Sequence, residues 1–254
     1  MIIKDKLYFV EVFMFNFRKD SISKYYKNIV KETKQDKLFL YGINPKYKNQ
    51  ENTLLELFGK CDSFNKKIKL IIITDTHGCL KEDEFSDFLK NYKEYDACLL
   101  LGDHSVGDVN TILKYVNKEK IYALLGNHDH DYIDKFNLKN INGEIIEING
   151  VKILGIQGGY RYKSEDFPSF SQKESIEFLD SKGKADILVS HDAPFELSEG
   201  NDVAHQGLFG ITYYLFKNKV PYCIHGHLHT RYSKDMINGT KVQCCYMYEY
   251  IEIG

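Results

Sequence analysis

Asp, Asn and His gather in five short clusters along this chain, at Asp75-Thr-His77, Gly102-Asp103-His104, Gly126-Asn127-His128-Asp129, His191-Asp192 and His225-Gly-His227-Leu-His229. All nine histidines fall between His77 and His229. These side chains offer carboxylate and amide oxygens and imidazole nitrogens, a donor set for Mn, Fe or Zn rather than for a thiolate metal. Gly78, Gly102, Gly126 and Gly226 let the backbone turn sharply and approach closely. In an extended chain Asp75 and His77, and likewise His227 and His229, point to the same side, so each pair can reach one cluster. A single histidine of this kind is better explained as structural, but five clusters together point to a metal site.

The elements that must position the clusters are legible in the apolar pattern. Lys67–Thr74, Asp96–Leu101, Ile121–Leu125, Ala185–Ser190 and Pro221–His225 are short, nearly continuous apolar runs, as buried strands are. One cluster follows each of them. In open α/β sheets ligands bind outside the carboxyl ends of strands, so the five clusters are expected to converge on one edge. Helical periodicity marks Leu80–Tyr92, Val109–Val116, Ser171–Ser181 and His205–Lys217. Asn149-Gly150 joins Glu144–Ile148 to Val151–Ile156, and Asn238-Gly239 joins Arg231–Ile237 to Lys241–Tyr248, two hairpin signals of which the second closes the chain. Strand–helix alternation ending in hairpins predicts an α/β fold of two packed mixed β-sheets flanked by helices.

Residues 1–64 read as a small N-terminal α/β appendage of unassigned role, with the main domain, which carries the clusters, over 65–254. Leu7–Phe17 and Leu38–Tyr41 are strand-like; Ile22–Val30 and Thr53–Phe58 are helix-like. Leu7–Phe17 carries Glu11 and Asn16 and reads as a strand rather than a signal peptide. Residues 1–66 hold 13 basic and 8 acidic residues, the remainder 21 and 28. The acidic body suits a carboxylate-rich metal site, while the basic start offers contacts to nucleic acid or simply solvated lysines. No run approaches the roughly 20 apolar residues of a bilayer span. The six cysteines form no CxxC pair and no framework spacing, which argues against a disulfide scaffold or zinc–thiolate site and fits a cytoplasmic protein.

Taken in order, D-x-H, G-D, G-N-H-D, H and G-H-x-H over about residues 68–230 resemble the calcineurin-like metallophosphoesterases. The resemblance implies that family's sandwich fold and two divalent metal ions, manganese foremost, with iron or zinc as alternatives. It implies that Asp75, His77, Asp103 and His229 hold one ion and that Asp103, Asn127, His191 and His227 hold the other, Asp103 bridging. It makes His128 the catalytic histidine. Two cations about 3.5–4 Å apart would clamp the attacking and leaving oxygens of an in-line displacement and draw the pKa of water toward about 7. The Asp103 charge would offset the repulsion between the cations, and His128 would protonate the leaving alkoxide or steady the phosphate.

His104, Arg161 and His205 are candidate substrate contacts; Arg161 stands between aromatics in Gly158-Gly-Tyr160-Arg161-Tyr162, where it can grip a phosphate. His225 is read as packing near the site. The protein-phosphatase branch of the family carries G-D-x-x-D-R-G. Here the stretch is Gly102-Asp-His-Ser-Val106-Gly-Asp108, with neither that aspartate nor the arginine, so Asp129 or Asp108 would have to orient His128. The departure favours a phosphodiesterase acting on a cyclic nucleotide or short nucleic acid. The alternative is a phosphomonoesterase for a small metabolite. A non-catalytic scaffold is disfavoured, because the ligands and His128 are all intact.

Overall fold

The structure, a computed structural model, describes residues 50–162, 167–195, 197 and 204–254. The strands expected at Leu7–Phe17 and Leu38–Tyr41 and the helix at Ile22–Val30 lie outside the described residues.

Two sheets make up the body. The first has the order β13-β1-β2-β3-β4, from Met247–Ile253, Ile68–Thr74, Ala97–Leu100, Ile121–Ala123 and Lys139–Asn140. β1 to β4 are parallel and β13 is antiparallel to β1. The second has the order β11-β12-β10-β9-β6-β5, from Tyr232–Asp235, Lys241–Cys244, Tyr222–His225, Ile187–Ser190, Val151–Ile156 and Ile145–Ile148. Its four central strands are parallel and its two edges are hairpin partners. A two-stranded ribbon, β7 (Gly159–Tyr160) with β8 (Ser169–Phe170), completes the strands.

Alternation along the strands explains the layers, because successive side chains point to opposite faces. On β1, Leu70 and Ile72 join Leu99, Ile153, Ile187, Val189 and Ile224 in the core between the sheets. Ile71 and Ile73 face the other way, where α2 (Glu82–Asn91) and α3 (Val106–Tyr115) cover them with Phe85, Val109 and Ile112. The outer face of the second sheet, with Leu154, Leu188, Cys223 and Val242, lies under α5 (Gln172–Asp180) and α6 (Phe209–Lys217). α1 (Gln50–Phe58) joins that layer through the fully buried Leu54. A short helix, α4 (Tyr132–Lys135), links β3 to β4. Ser105 and Ser171 start α3 and α5 with capping boxes, their hydroxyls accepting from the third-residue amide.

The predicted two-sheet architecture is the observed one, with two local corrections. Asn149-Gly150 does turn β5 into β6, with φ of 51° and 78°. The Lys241–Tyr248 run, however, is broken. β12 ends at Cys244, Met247 takes φ 64°, and β13 then crosses to pair with β1 in the other sheet. The Asn238-Gly239 hairpin does form, β11 against β12, but beyond it the chain closes on an inter-sheet crossover. The helix expected from His205 begins at Phe209, which leaves His205 in the preceding loop.

Candidate metal centre

The loops after β1, β2, β3, β9 and β10 carry the five clusters, as the strand-end pattern requires. Asp75, His77, Asp103, His227 and His229 have φ between 44° and 70°. The extended conformation expected for Asp75–His77 and His227–His229 is therefore wrong. Each of these residues is left-handed, which costs a non-glycine residue about 1–2 kcal/mol. Backbone bonds hold the strain: Asp75 N–H donates to Gly102 O at 2.9 Å and His77 N–H to Asp103 O at 3.1 Å. Strain concentrated at one place marks a site whose geometry the fold over-determines.

Both candidate ligand carboxylates are buried and split their oxygens between two tasks. Asp75 Oδ2 accepts from Thr74 Oγ1 at 2.7 Å and from His227 N–H at 2.8 Å. Its Oδ1 has no hydrogen-bond partner and lies 3.6 Å from His229 Nε2. Asp103 Oδ1 accepts from His128 N–H at 2.8 Å, and its unbonded Oδ2 faces His77 Nε2 at 3.4 Å and His191 Nε2 at 3.6 Å. A buried carboxylate oxygen without a donor is costly. Two such oxygens ringed by imidazole nitrogens are what a cation would satisfy.

The histidines are tuned by what their other nitrogens touch. His191 Nδ1 bonds Leu101 O at 2.8 Å, which leaves Nε2 to the cluster beside Asn127 Oδ1 at 2.9 Å. Two acceptors facing each other are reconciled by a proton or a cation between them. Burial works against charge on His191, but Asp103 and Asp75 outweigh it and raise its pKa. The nearby Asp75 carboxylate, 3.6 Å away, raises that of His229. Burial would raise Asp75, yet His229, His191, Thr74 and the His227 amide hold it well below the usual carboxylate range. The cluster thus favours positive charge. His77 and His229 bring their Nε2 atoms to 3.1 Å of each other. His227 Nε2 bonds Ala204 O at 3.1 Å, so its Nδ1 keeps the lone pair, and burial lowers its pKa.

Donor atoms of Asp75, His77 and His229 lie within 4.8 Å of one another, as do those of Asp75, Asp103 and His191. The His227 ring is 5.0 Å from that of His191, and the His205 ring 4.9 Å from that of His227. His128 is exposed, its ring 5.6 Å from that of His77. A Cβ on Gly226 would collide with Thr74 and Asp75, and one on Gly126 with Asp103 and His191.

Other expected residues stand apart from the cluster. His104 is buried, its Nδ1 at 2.9 Å from Thr76 Oγ1 and its ring edge-on to Tyr132, so it does not line a cleft. Arg161 is committed to Glu174 at 2.9 Å and to Ser169 O at 3.1 Å, tying β7 to β8 and α5 instead of reaching for phosphate. His225 is fully buried, between Gly226 O and Tyr232 Oη, and burial lowers its pKa to about 4, in keeping with packing.

Neither aspartate proposed to orient His128 does so. Asp129 accepts from the Asp103, His104 and Gly126 amides at 2.6, 2.9 and 2.7 Å. Asp108 accepts from Thr76 Oγ1 at 2.8 Å and from the Gly78 and Leu80 amides at 2.6 and 3.1 Å. Both hold ligand loops in place, a job that the sequence hid because an amide-binding aspartate and a metal-binding one are the same letter. Asp192 was missed in the same way: its carboxylate accepts from the Tyr160 and Ala193 amides. Its one signal was adjacency to His191.

Residues 68–231 match the family described as calcineurin-like phosphoesterase. No curated protein sequence matches the chain. Among solved structures, phosphopantetheinyl hydrolase (PptH) from Mycobacterium tuberculosis is similar at a TM-score of 0.50 and 11% identity, over 72% of this chain and 91% of that one. Another crystal structure is similar at a TM-score of 0.53 and 10% identity, over 73% and 95%. At such identities the likeness shows a shared fold. No helix among the described residues is long and apolar enough to cross a membrane. The family match spans more than half of the 254 residues and contains every strand-end cluster described above, and the chain therefore belongs to the calcineurin-like phosphoesterases, metal-dependent hydrolases of phosphoester bonds.

Proposed function

We propose that the chain is a binuclear phosphodiesterase, with manganese the first candidate metal. Asp75, His77, Asp103 and His229 would hold one ion, and Asp103, Asn127, His191 and His227 the other. The carrying observation is the pair of unbonded buried oxygens, Asp75 Oδ1 and Asp103 Oδ2, each facing imidazole nitrogens. Oxygen and imidazole donors suit Mn, Fe or Zn. Bound there, the two cations supply Lewis acidity toward the phosphoryl oxygens and acidify water.

The chain's own residues do the rest. Asp103 turns Oδ2 toward both His77 and His191 and, through Oδ1, fixes the backbone that carries His128. His128 donates a proton to the leaving oxygen or bonds a phosphoryl oxygen. Leu101 O and Ala204 O fix the tautomers of His191 and His227, which leaves a lone pair on His191 Nε2 and on His227 Nδ1 for a cation.

Charge supports a diester over a monoester. A phosphomonoester carries about −1.5 to −2 at neutral pH and calls for extra cationic side chains; a diester carries a single charge. Among the described residues no Lys or Arg pairs with the cluster's carboxylates, and Arg161 is bound to Glu174. A cyclic nucleotide or short nucleic acid fits this reading, with a small phosphomonoester metabolite as the alternative. Assays of purified protein with Mn²⁺ on matched bis-aryl and mono-aryl phosphates test it. We expect kcat/KM to favour the diester, and a strong preference for the monoester would overturn the assignment.

A further inference from the structure

We propose that Tyr246 is a positioning residue for the metal ligand His229, set in place by a clamp of Arg231 and Glu249. The inference rests on the metal-site reading above and adds to it a residue outside the five clusters.

The starting point is an asymmetry among the imidazoles. His191 and His227 each bond a backbone carbonyl with one ring nitrogen, which fixes both tautomer and ring plane and leaves the other nitrogen for a ligand role. Among the described residues His229 makes no such bond: its one close polar neighbour besides Asp75 is His77, itself a candidate ligand. Its side chain is 49% exposed, so core packing does not hold it either. A half-exposed ring free to rotate about χ2 would lose entropy on taking a ligand geometry.

Tyr246 supplies what the carbonyls supply elsewhere. Its ring stacks on that of His229 at a centroid distance of 5.5 Å and an interplanar angle of 30°, inside the range for aromatic pairs. A stacked neighbour blocks rotation of the imidazole plane without using either nitrogen. Both remain available, one of them to a cation.

The backbone of Tyr246 is gripped from both sides. Arg231 Nε and Nη2 donate to Tyr246 O at 3.2 and 2.8 Å. Tyr246 N–H donates to Glu249 Oε1 at 3.2 Å. Arg231 Nε lies 3.0 Å from the same Glu249 oxygen, which closes the ring of contacts. The clamp joins two places that need holding. Arg231 follows His229 by two residues, and Tyr246 lies in the crossover from β12 to β13, beside the left-handed Met247. The ligand loop and the inter-sheet crossover are thereby fixed to each other.

Calorimetric titration of Mn²⁺ into the full chain, wild type against Tyr246→Ala and Tyr246→Phe, tests this. Removing a group that orients a ligand typically costs about 10–100-fold in metal affinity. We expect Tyr246→Ala to weaken the occupancy of one ion by that factor and to lower kcat with little change in KM. Tyr246→Phe should restore both, because the ring and not the hydroxyl does the work. Arg231→Ala should lower affinity in the same direction. Thermal unfolding in chelator separates the alternative: if Tyr246→Ala lowers Tm while leaving Mn²⁺ affinity and kcat at wild-type values, Tyr246 is only structural and the proposal fails. It fails equally if Tyr246→Phe binds as weakly as Tyr246→Ala. Wild-type protein that takes up no Mn²⁺ would instead bring down the metal-site reading, and the positioning role with it.

Discussion

The two oxygens of Asp103 lie in different surroundings: Oδ1 accepts the His128 amide, and Oδ2 faces only the imidazoles of His77 and His191. Substituting the His128 side chain leaves that backbone bond in place, which separates chemistry from metal binding at this position. His128→Ala is therefore expected to keep its metal content while kcat falls about 10²–10⁴-fold, the usual share of a positioned proton donor. Metal analysis and turnover on the same preparation check both halves. At this scale the candidate donors were legible in the sequence, because Asp, Asn and His are residue types that oxygen- and nitrogen-binding metals favour. The residues that hold the donors were not. Asp129 spends its carboxylate on three backbone amides and Asp108 on the Asp75–Leu80 loop, and only the folded chain distinguishes those tasks from ligation.

Strands set the clusters, and their alternation was readable: Leu70 and Ile72 point inward while Ile71 and Ile73 point outward, as period-2 burial predicts. The Asn149-Gly150 turn was readable too, since both positions need a positive φ that Asn and Gly accept. The C-terminal crossover was not, because its break falls at Met247, a residue with no turn chemistry in its side chain. The left-handed ligand loops were hidden for the same reason: Asp75, His77, His227 and His229 carry no sequence mark of the strain that the surrounding bonds hold. α1 belongs to this scale as well. Leu54 is fully buried against the α5–α6 layer although it lies in the segment expected to be an appendage. Leu54→Ala should lower stability by about 2–5 kcal/mol, the range for a buried leucine lost to a cavity. Urea unfolding would show it as a lower midpoint at unchanged slope; an unchanged midpoint would mean that α1 does not dock in solution.

Two sheets, each contributing strand ends to one edge, bring together residues as far apart in sequence as Asp75 and His229. That convergence concentrates negative charge where no lysine or arginine answers it among the described residues, so divalent cations should stabilise the whole fold. A ligand that binds only the native state adds about 2.7 kcal/mol when present at 100 times its Kd. In a chain of this size that corresponds to a rise in Tm of roughly 5–10 °C. Chelator-treated protein should accordingly melt several degrees below the same protein with Mn²⁺ restored, as differential scanning calorimetry would read directly.

Counting the ions is the most direct test of the shared site around Asp103. Protein purified without chelators, wild type beside Asp103→Asn, can be analysed for metal by inductively coupled plasma mass spectrometry after removal of free ions. Two divalent ions per wild-type chain are expected, with a clear loss in Asp103→Asn, because in the proposed site the Asp103 carboxylate would serve both. A wild-type chain that carries one ion or none, or an Asp103→Asn variant that keeps both, would contradict the binuclear assignment.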